Sequence, residues 1–265
     1  MKKKNLFNSL IDFGKKNEDK TLKTIKSFIK YFPDINKLEI KKNRDFIKLI
    51  EEMGIPSELD NYFNLIKNQI KEKNLFNEHN FENIFNKIYD YIMEKLNDKI
   101  FPKEIVKKDK DIYKNCCINS WIEFSNLEKN NKNYILDSFL PDAIYYFQKL
   151  DNEKSPRKKF ESLKEIFNCI YNLGEFNENK IDGADDEINL LNFAFIKSKP
   201  KNIYTNCRYM NLFLGKKKNQ IEGNLLTKLL LLCKTMENFS FKDLYDINET
   251  EYIENCDLAE KELLY

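Results

Sequence analysis

The chain has 265 residues, 42% hydrophobic and 33% charged, enough apolar material for one large domain or two modest ones. Lys+Arg 45 against Asp+Glu 43 leaves a net charge of +2, so no bulk field selects nucleic acid or an anionic membrane. Six glycines and six prolines argue against glycine-rich phosphate cradles and many-turned β folds, and point to long helices. The single histidine, His79, argues against histidine-rich metal sites and against a Ser-His-Asp triad. The cysteines at 116, 117, 169, 207, 233 and 256 form no CxxC pair. They read as reduced, mostly buried small hydrophobes of a cytosolic protein. The opening MKKKNLFNSLIDFGKK has a basic start but no uninterrupted apolar core, so no secretory signal is expected. No apolar run approaches the ~20 residues that span a bilayer.

Taken in order, Leu6, Phe7, Leu10, Ile11 and Phe13 keep helical spacing up to Gly14. Leu22, Ile25, Phe28 and Ile29 make a second stripe, stopped by Pro33. A third helix is expected from Asn43 to Gly54, and a fourth from Ser57 through Ile70. Four short helices with short connections read as an antiparallel bundle. The lysines on their outer faces read as solvated surface, with a membrane-surface role as the alternative.

The polar stretch KEKNLFNEHN, 71–80, is a candidate junction. A longer helix with Phe81, Ile84, Phe85, Ile88, Ile92 and Leu96 on one face should end at Pro102. Ile112 to Phe124 follows, carrying the only tryptophan, Trp121, and then Tyr134 to Leu150, interrupted by Pro141. Ser155-Pro156 reads as an N-cap and first-position proline. Phe160, Leu163, Ile166, Phe167 and Ile170 give that helix its stripe, and Gly174 its close.

Next comes Gly183-Ala184-Asp185-Asp186 at the mouth of a helix that is apolar nearly all round, from Ile188 to Ile196. Carboxylates are favoured there by unpaired backbone N–H groups and the helix dipole. A helix start is therefore one reading of the acidic pair. The other is a carboxylate presented rigidly to a partner. Ile203 to Phe213 forms a short amphipathic helix, Lys216 to Lys218 a basic loop, and Asn224 to Met236 a long apolar helix. Ser240 and Asp243 form a possible capping box for a last short helix near Leu244. No strand-length alternation outscores helix anywhere.

Several blocks now combine. YDYIMEKLNDKIFP, Trp121, KSPRKKFESLKEIFNCI, GADDEINLLNFAFIKSKPKNIYTNCRYMNLF, Glu222 to Thr227 and DINETEYIEN stand in order across roughly 85–256. Together they resemble the vacuolar-protein-sorting-nine (Vps-nine) domain, found in guanine-nucleotide exchange factors for Rab-five-subfamily GTPases. Ala184, Asp185, Asp186, Lys197, Pro200, Asn206, Tyr209 and Phe213 stand at family positions.

The resemblance implies an all-α fold: an N-terminal four-helix bundle over 1–80, packed on a layered-helix Vps-nine-type domain over 81–256, with 257–265 as a C-terminal tail. It implies a partner, a Rab-five-like GTPase in its GDP-bound or nucleotide-free form, and GDP release without covalent chemistry. It implies no cofactor and no metal in this chain, because Mg²⁺ and nucleotide belong to the GTPase. The implied setting is cytoplasmic and endosomal, with peripheral membrane association through the Rab or another recruiter.

By the same resemblance Asp185 is an acidic finger that enters the nucleotide site, and Asp186 serves structure. Asn189, Asn224, Leu225, Thr227 and Tyr209 are the expected partner-binding residues. Asn189 stands where the family usually has proline, and Asn224 where it has tyrosine. Leu225 and Leu226 replace residues that are often aromatic, and Glu222-Gly223 is reversed, while Thr227 matches. Lost aromatic area weakens an interface, so the alternative reading is a Rab-binding adaptor with a degenerate exchange site.

Overall fold

The structure, a computed structural model, describes residues 29–30, 46–72, 78–129, 136, 139–176, 184–214 and 220–263. All regular elements among the described residues are helical, as the patterning requires. The chain divides into two compact units, 1–103 with 154–156, and 104–153 with 157–265. The helix expected to open the second domain at residue 81 therefore groups with the first unit. The stripes at Leu6–Phe13 and Leu22–Phe28 lie outside the described residues, as do Gly183 and the Lys216–Lys218 loop.

In the first unit, α1 (Phe46–Glu52), α2 (Ile55–Glu72) and α3 (Glu78–Ile100) follow one another. Gly54 separates α1 from α2 with φ +67, a left-handed conformation that glycine adopts at little cost. Pro56 sits in the first turn of α2, where its missing N–H breaks no helical bond. Ile55, Leu59, Phe63 and Ile66 recur at helical spacing and are all buried. The Phe63 ring lies 4.6 Å from Tyr89 on α3. Ser155, expected as an N-cap, donates its hydroxyl to Asp90 Oδ1 at 2.6 Å.

The second unit holds α4 (Lys107–Ile118), α5 (Leu140–Asn152), α6 (Pro156–Phe176), α7 (Ala184–Ser198), α8 (Ile203–Leu214), α9 (Gln220–Glu237) and α10 (Glu249–Glu262). Short 3₁₀ turns occur at Phe124–Leu127 and Phe241–Asp243. Four sequence expectations shift. The helix read as Ile112–Phe124 occupies Lys107–Ile118, leaving Trp121 in the turn beyond it. Pro141 opens α5 rather than interrupting it. Gly174 falls inside α6, and the terminal tail is helical as far as Glu262.

α7 is the central element. Leu190, Leu191, Phe193, Ala194, Phe195 and Ile196 are all buried, because α7 is packed by α5, α4, α9 and the first 3₁₀ turn. Phe195 meets Phe147 of α5 edge-on at 5.4 Å, and Phe193 meets Phe124 at 5.6 Å. At its C-terminal end, Lys197 Nζ donates to Ser120 O at 2.8 Å and stands over the Phe193 ring. Lys199 then turns left-handed at φ 46, and Pro200 follows.

The start of α8 is fixed by two carboxylates from elsewhere in the unit, the buried Asp109 and the half-buried Asp151. Asp109 of α4 accepts hydrogen bonds from Tyr204 N at 2.8 Å and from Thr205 Oγ1 at 2.5 Å. Asp151 at the end of α5 accepts from Lys201 N at 2.6 Å, Asn202 N at 3.2 Å and Asn206 Nδ2 at 2.7 Å. These bonds satisfy N–H groups that a helix start leaves open. Lys159 of α6 points its buried ammonium at the carbonyl end of α5, donating to Leu150 O at 2.9 Å. Desolvation lowers its pKa to about 8, against the opposing charges of Asp151 and Glu153. α10 is held to α4 by Lys114–Glu260 at 2.6 Å, and Trp121 meets its Tyr252 at 5.9 Å.

Candidate functional site

The first turn of α7 carries three consecutive acids, Asp185, Asp186 and Glu187. Successive helical residues point ~100° apart, so the three side chains meet three different environments. Asp185 is exposed, Asp186 is buried, and Glu187 is turned toward α9. The acidic pair thus divides: one member belongs to the fold and the other stands clear of it. Behind Asp185 the rest of α7 is almost wholly enclosed, which leaves the exposed carboxylate on a rigid support.

One turn after Asp185 comes the half-buried Asn189, and Asn192 continues the same helical face into the interior. On α9, Asn224 and Thr227 are exposed and lie three residues apart, on one face of the helix. Thr227 donates its hydroxyl to Gly223 O at 2.9 Å, one turn back along its own helix. Leu231 continues that exposed face by a further turn.

Two residues expected to touch a partner are placed otherwise. Tyr209 is 0% exposed, with its ring 4.9 Å from Phe213 in an edge-on contact. It fills the core because the pattern that placed it on α8 is also that helix's inward stripe. Leu225 is likewise buried, beside Leu226 on the inward side of α9. Asp185, Asn189, Asn224 and Thr227 are the expected site residues that have surface to offer.

The bond that ties the two halves of this surface is one that sequence reasoning missed. Lys228 Nζ donates to both carboxylate oxygens of Glu187, at 2.6 and 2.8 Å. Tyr171 of α6 adds its hydroxyl to Glu187 Oε1 at 3.4 Å, and the Lys228 ammonium sits 5.5 Å from the centre of the Phe167 ring. Desolvation pushes the Lys228 pKa down, but the hydrogen bond and charge of Glu187 together lift it above its ordinary value. Glu187 lies two residues after Asp185, and Lys228 directly follows Thr227. The pair therefore links the turn bearing the exposed acid to the helix bearing Asn224 and Thr227. Its members are 41 residues apart, beyond the reach of any local spacing rule.

The arrangement can present one carboxylate, backed by a rigid helix, beside a mixed polar and apolar face. Among the described residues no cluster of His, Cys, Asp or Glu is placed to hold a metal ion. Nor is any helix among them long and apolar enough to cross a membrane.

Among the described residues this is an all-helical arrangement that leaves one acid exposed at the tip of a buried helix. The family model for the vacuolar sorting protein 9 (VPS9) domain matches residues 140–241, from the start of α5 to the second 3₁₀ turn. That stretch of the chain, rather less than half of it, is therefore similar to the VPS9 domain. It contains Asp185, Asn189, Tyr209, Asn224, Leu225, Thr227 and the Glu187–Lys228 pair. The match is shorter than the roughly 85–256 expected from the resemblance in the sequence. No curated protein is similar enough to match the chain.

Proposed function

We propose that this chain promotes GDP release from a Rab-five-subfamily GTPase, with Asp185 as the group that enters the nucleotide site. The observation that carries the reading is the exposure of Asp185 at the tip of a helix otherwise buried on nearly every side, inside a VPS9-matched stretch.

The chemistry follows from how such a GTPase holds its nucleotide. Phosphate and Mg²⁺ are bound through P-loop backbone N–H groups, a lysine and the metal. A carboxylate brought into that site repels the phosphates and competes for the lysine. It also supplies negative charge where the departing nucleotide leaves positive groups uncompensated. Rigidity matters because an ordered acid loses little freedom on entering the site. Asn189, half-buried one turn after the finger, offers its amide to the partner. Asn224, Thr227 and the exposed Leu231 offer hydrogen bonds and apolar area to the segments that the finger displaces. No covalent bond is made or broken, so the domain needs no cofactor for this work.

The second reading, a Rab-binding adaptor without efficient exchange, is favoured by Asn224. It brings hydrogen-bonding capacity to the centre of the α9 face but little of the area that aromatic anchors supply. A panel of Rab GTPases loaded with fluorescent GDP separates the two readings. Accelerated release by at least one Rab-five-subfamily member supports exchange, and binding without acceleration supports the adaptor. Absence of both for every member would remove the proposal. Association with endosomal membranes is expected to follow from the Rab partner.

A further inference from the structure

We infer that Glu187 and Lys228 are positioning residues of the exchange site, fixing the finger-bearing turn of α7 against the partner-facing side of α9. The inference rests on the exchange reading above and adds a pair of residues that the reading itself does not require.

Three observations support it. The bond is two-pronged, with both Glu187 oxygens within 2.8 Å of one ammonium, so it restrains direction as well as distance. It is sheltered on one side: the Glu187 side chain is 13% exposed, against 40% for Lys228. It is also anchored from a third helix, through the Tyr171 hydroxyl on Glu187 and the Phe167 ring beneath the ammonium. An isolated surface pair contributes little to stability. This pair instead spans the two segments whose relative placement decides whether Asp185 and the Asn224–Thr227 face reach one partner together.

Misplacement of a reacting group by ~1 Å can cost ~100-fold in rate, so loss of such a restraint should appear in the chemistry before it appears in folding. Lys228→Met keeps the apolar stem over Phe167 and removes the charge. Glu187→Gln keeps the shape and weakens the pair.

The test measures fluorescent-GDP release from a responsive Rab-five-subfamily GTPase across exchanger concentration, giving a maximal rate and a half-saturating concentration. Each single variant is expected to lower the maximal rate about tenfold while shifting the thermal melting point by no more than a few degrees. The charge-swapped double variant Glu187→Lys/Lys228→Glu should recover most of that loss, which a lysine acting by direct contact with the GTPase would not allow. Unchanged maximal rates in the single variants, or a double variant no better than the singles, would overturn the inference and leave the exchange reading standing. A wild type that releases GDP from no member would overturn both.

Discussion

Asp185 and Asp186 are adjacent in the chain and opposite in environment: the first is exposed and the second buried, on the first turn of the same helix. Their substitutions should therefore separate cleanly. Removing a buried polar group strands its partners and commonly costs ~1–3 kcal/mol. Removing an exposed acid from a helix start costs ~0.3–1 kcal/mol through the dipole alone. Urea unfolding of Asp186→Ala should show the larger loss, and that of Asp185→Ala the smaller. Equal losses would contradict the division of roles.

Asp151 gathers three donors, two backbone N–H groups and the amide of the fully buried Asn206. Asp151→Ala leaves all three without that acceptor and should destabilise the second unit by ~2–4 kcal/mol, with Asn206→Ala costing less. The two substitutions share a bond, so their effects should be less than additive in a double-mutant cycle. Strict additivity would show that the bond contributes nothing.

Burial raises the Asp109 carboxyl from its ordinary value near 4 to about 6, against the lowering effect of hydrogen bonds from Thr205 and from the backbone N–H groups of Tyr204 and Thr205. The folded state thus takes up this proton more readily than the unfolded state. The resulting stability is fully present below about pH 4 and is lost as pH rises through about 6. Asp109→Asn keeps the shape and cannot titrate. The stability of wild type minus that of Asp109→Asn should increase by ~1–2 kcal/mol between pH 7 and pH 4.5 in matched urea titrations. A difference that is flat or of opposite slope would refute the assignment.

Asn192, two turns after Asp185 on the same face of α7, is buried, and its Oδ1 has no hydrogen-bond partner among the described residues. A buried acceptor left without a bond costs ~1–3 kcal/mol. Asn192→Leu should raise the thermal midpoint, since it replaces that acceptor with an apolar group of similar volume. A lowered midpoint would mean that the amide is satisfied in solution in a way its neighbours do not reveal.

Much of this was readable from residue order. Helix type followed from period and from the scarcity of glycine and proline, and the all-round apolarity of Ile188 to Ile196 marked α7 as the central helix. Helix ends were less legible. Pro141 and Gly174 read as breaks, yet Pro141 fits a first turn and Gly174 is accommodated within α6. Site residues divided by kind. A helix start favours any acid in its first turn, so Asp185 could be singled out from Asp186 only by the family resemblance. Tyr209 and Leu225 were read as contacts because family position does not distinguish a residue that touches the partner from one that supports its neighbour. Glu187 and Lys228 were missed because a bond across 41 residues leaves no periodic trace.

The central claim is that the exposed carboxylate of Asp185 expels GDP from a bound GTPase. Its most direct test compares wild type with Asp185→Ala and Asp185→Asn at saturating concentration on one responsive Rab-five-subfamily GTPase loaded with fluorescent GDP. Binding to the nucleotide-free GTPase is measured in parallel. The account predicts release about 100-fold slower for both variants, equivalent to ~2.7 kcal/mol of transition-state stabilisation, with folding intact and the GTPase still bound. Release at the wild-type rate by Asp185→Ala would contradict it.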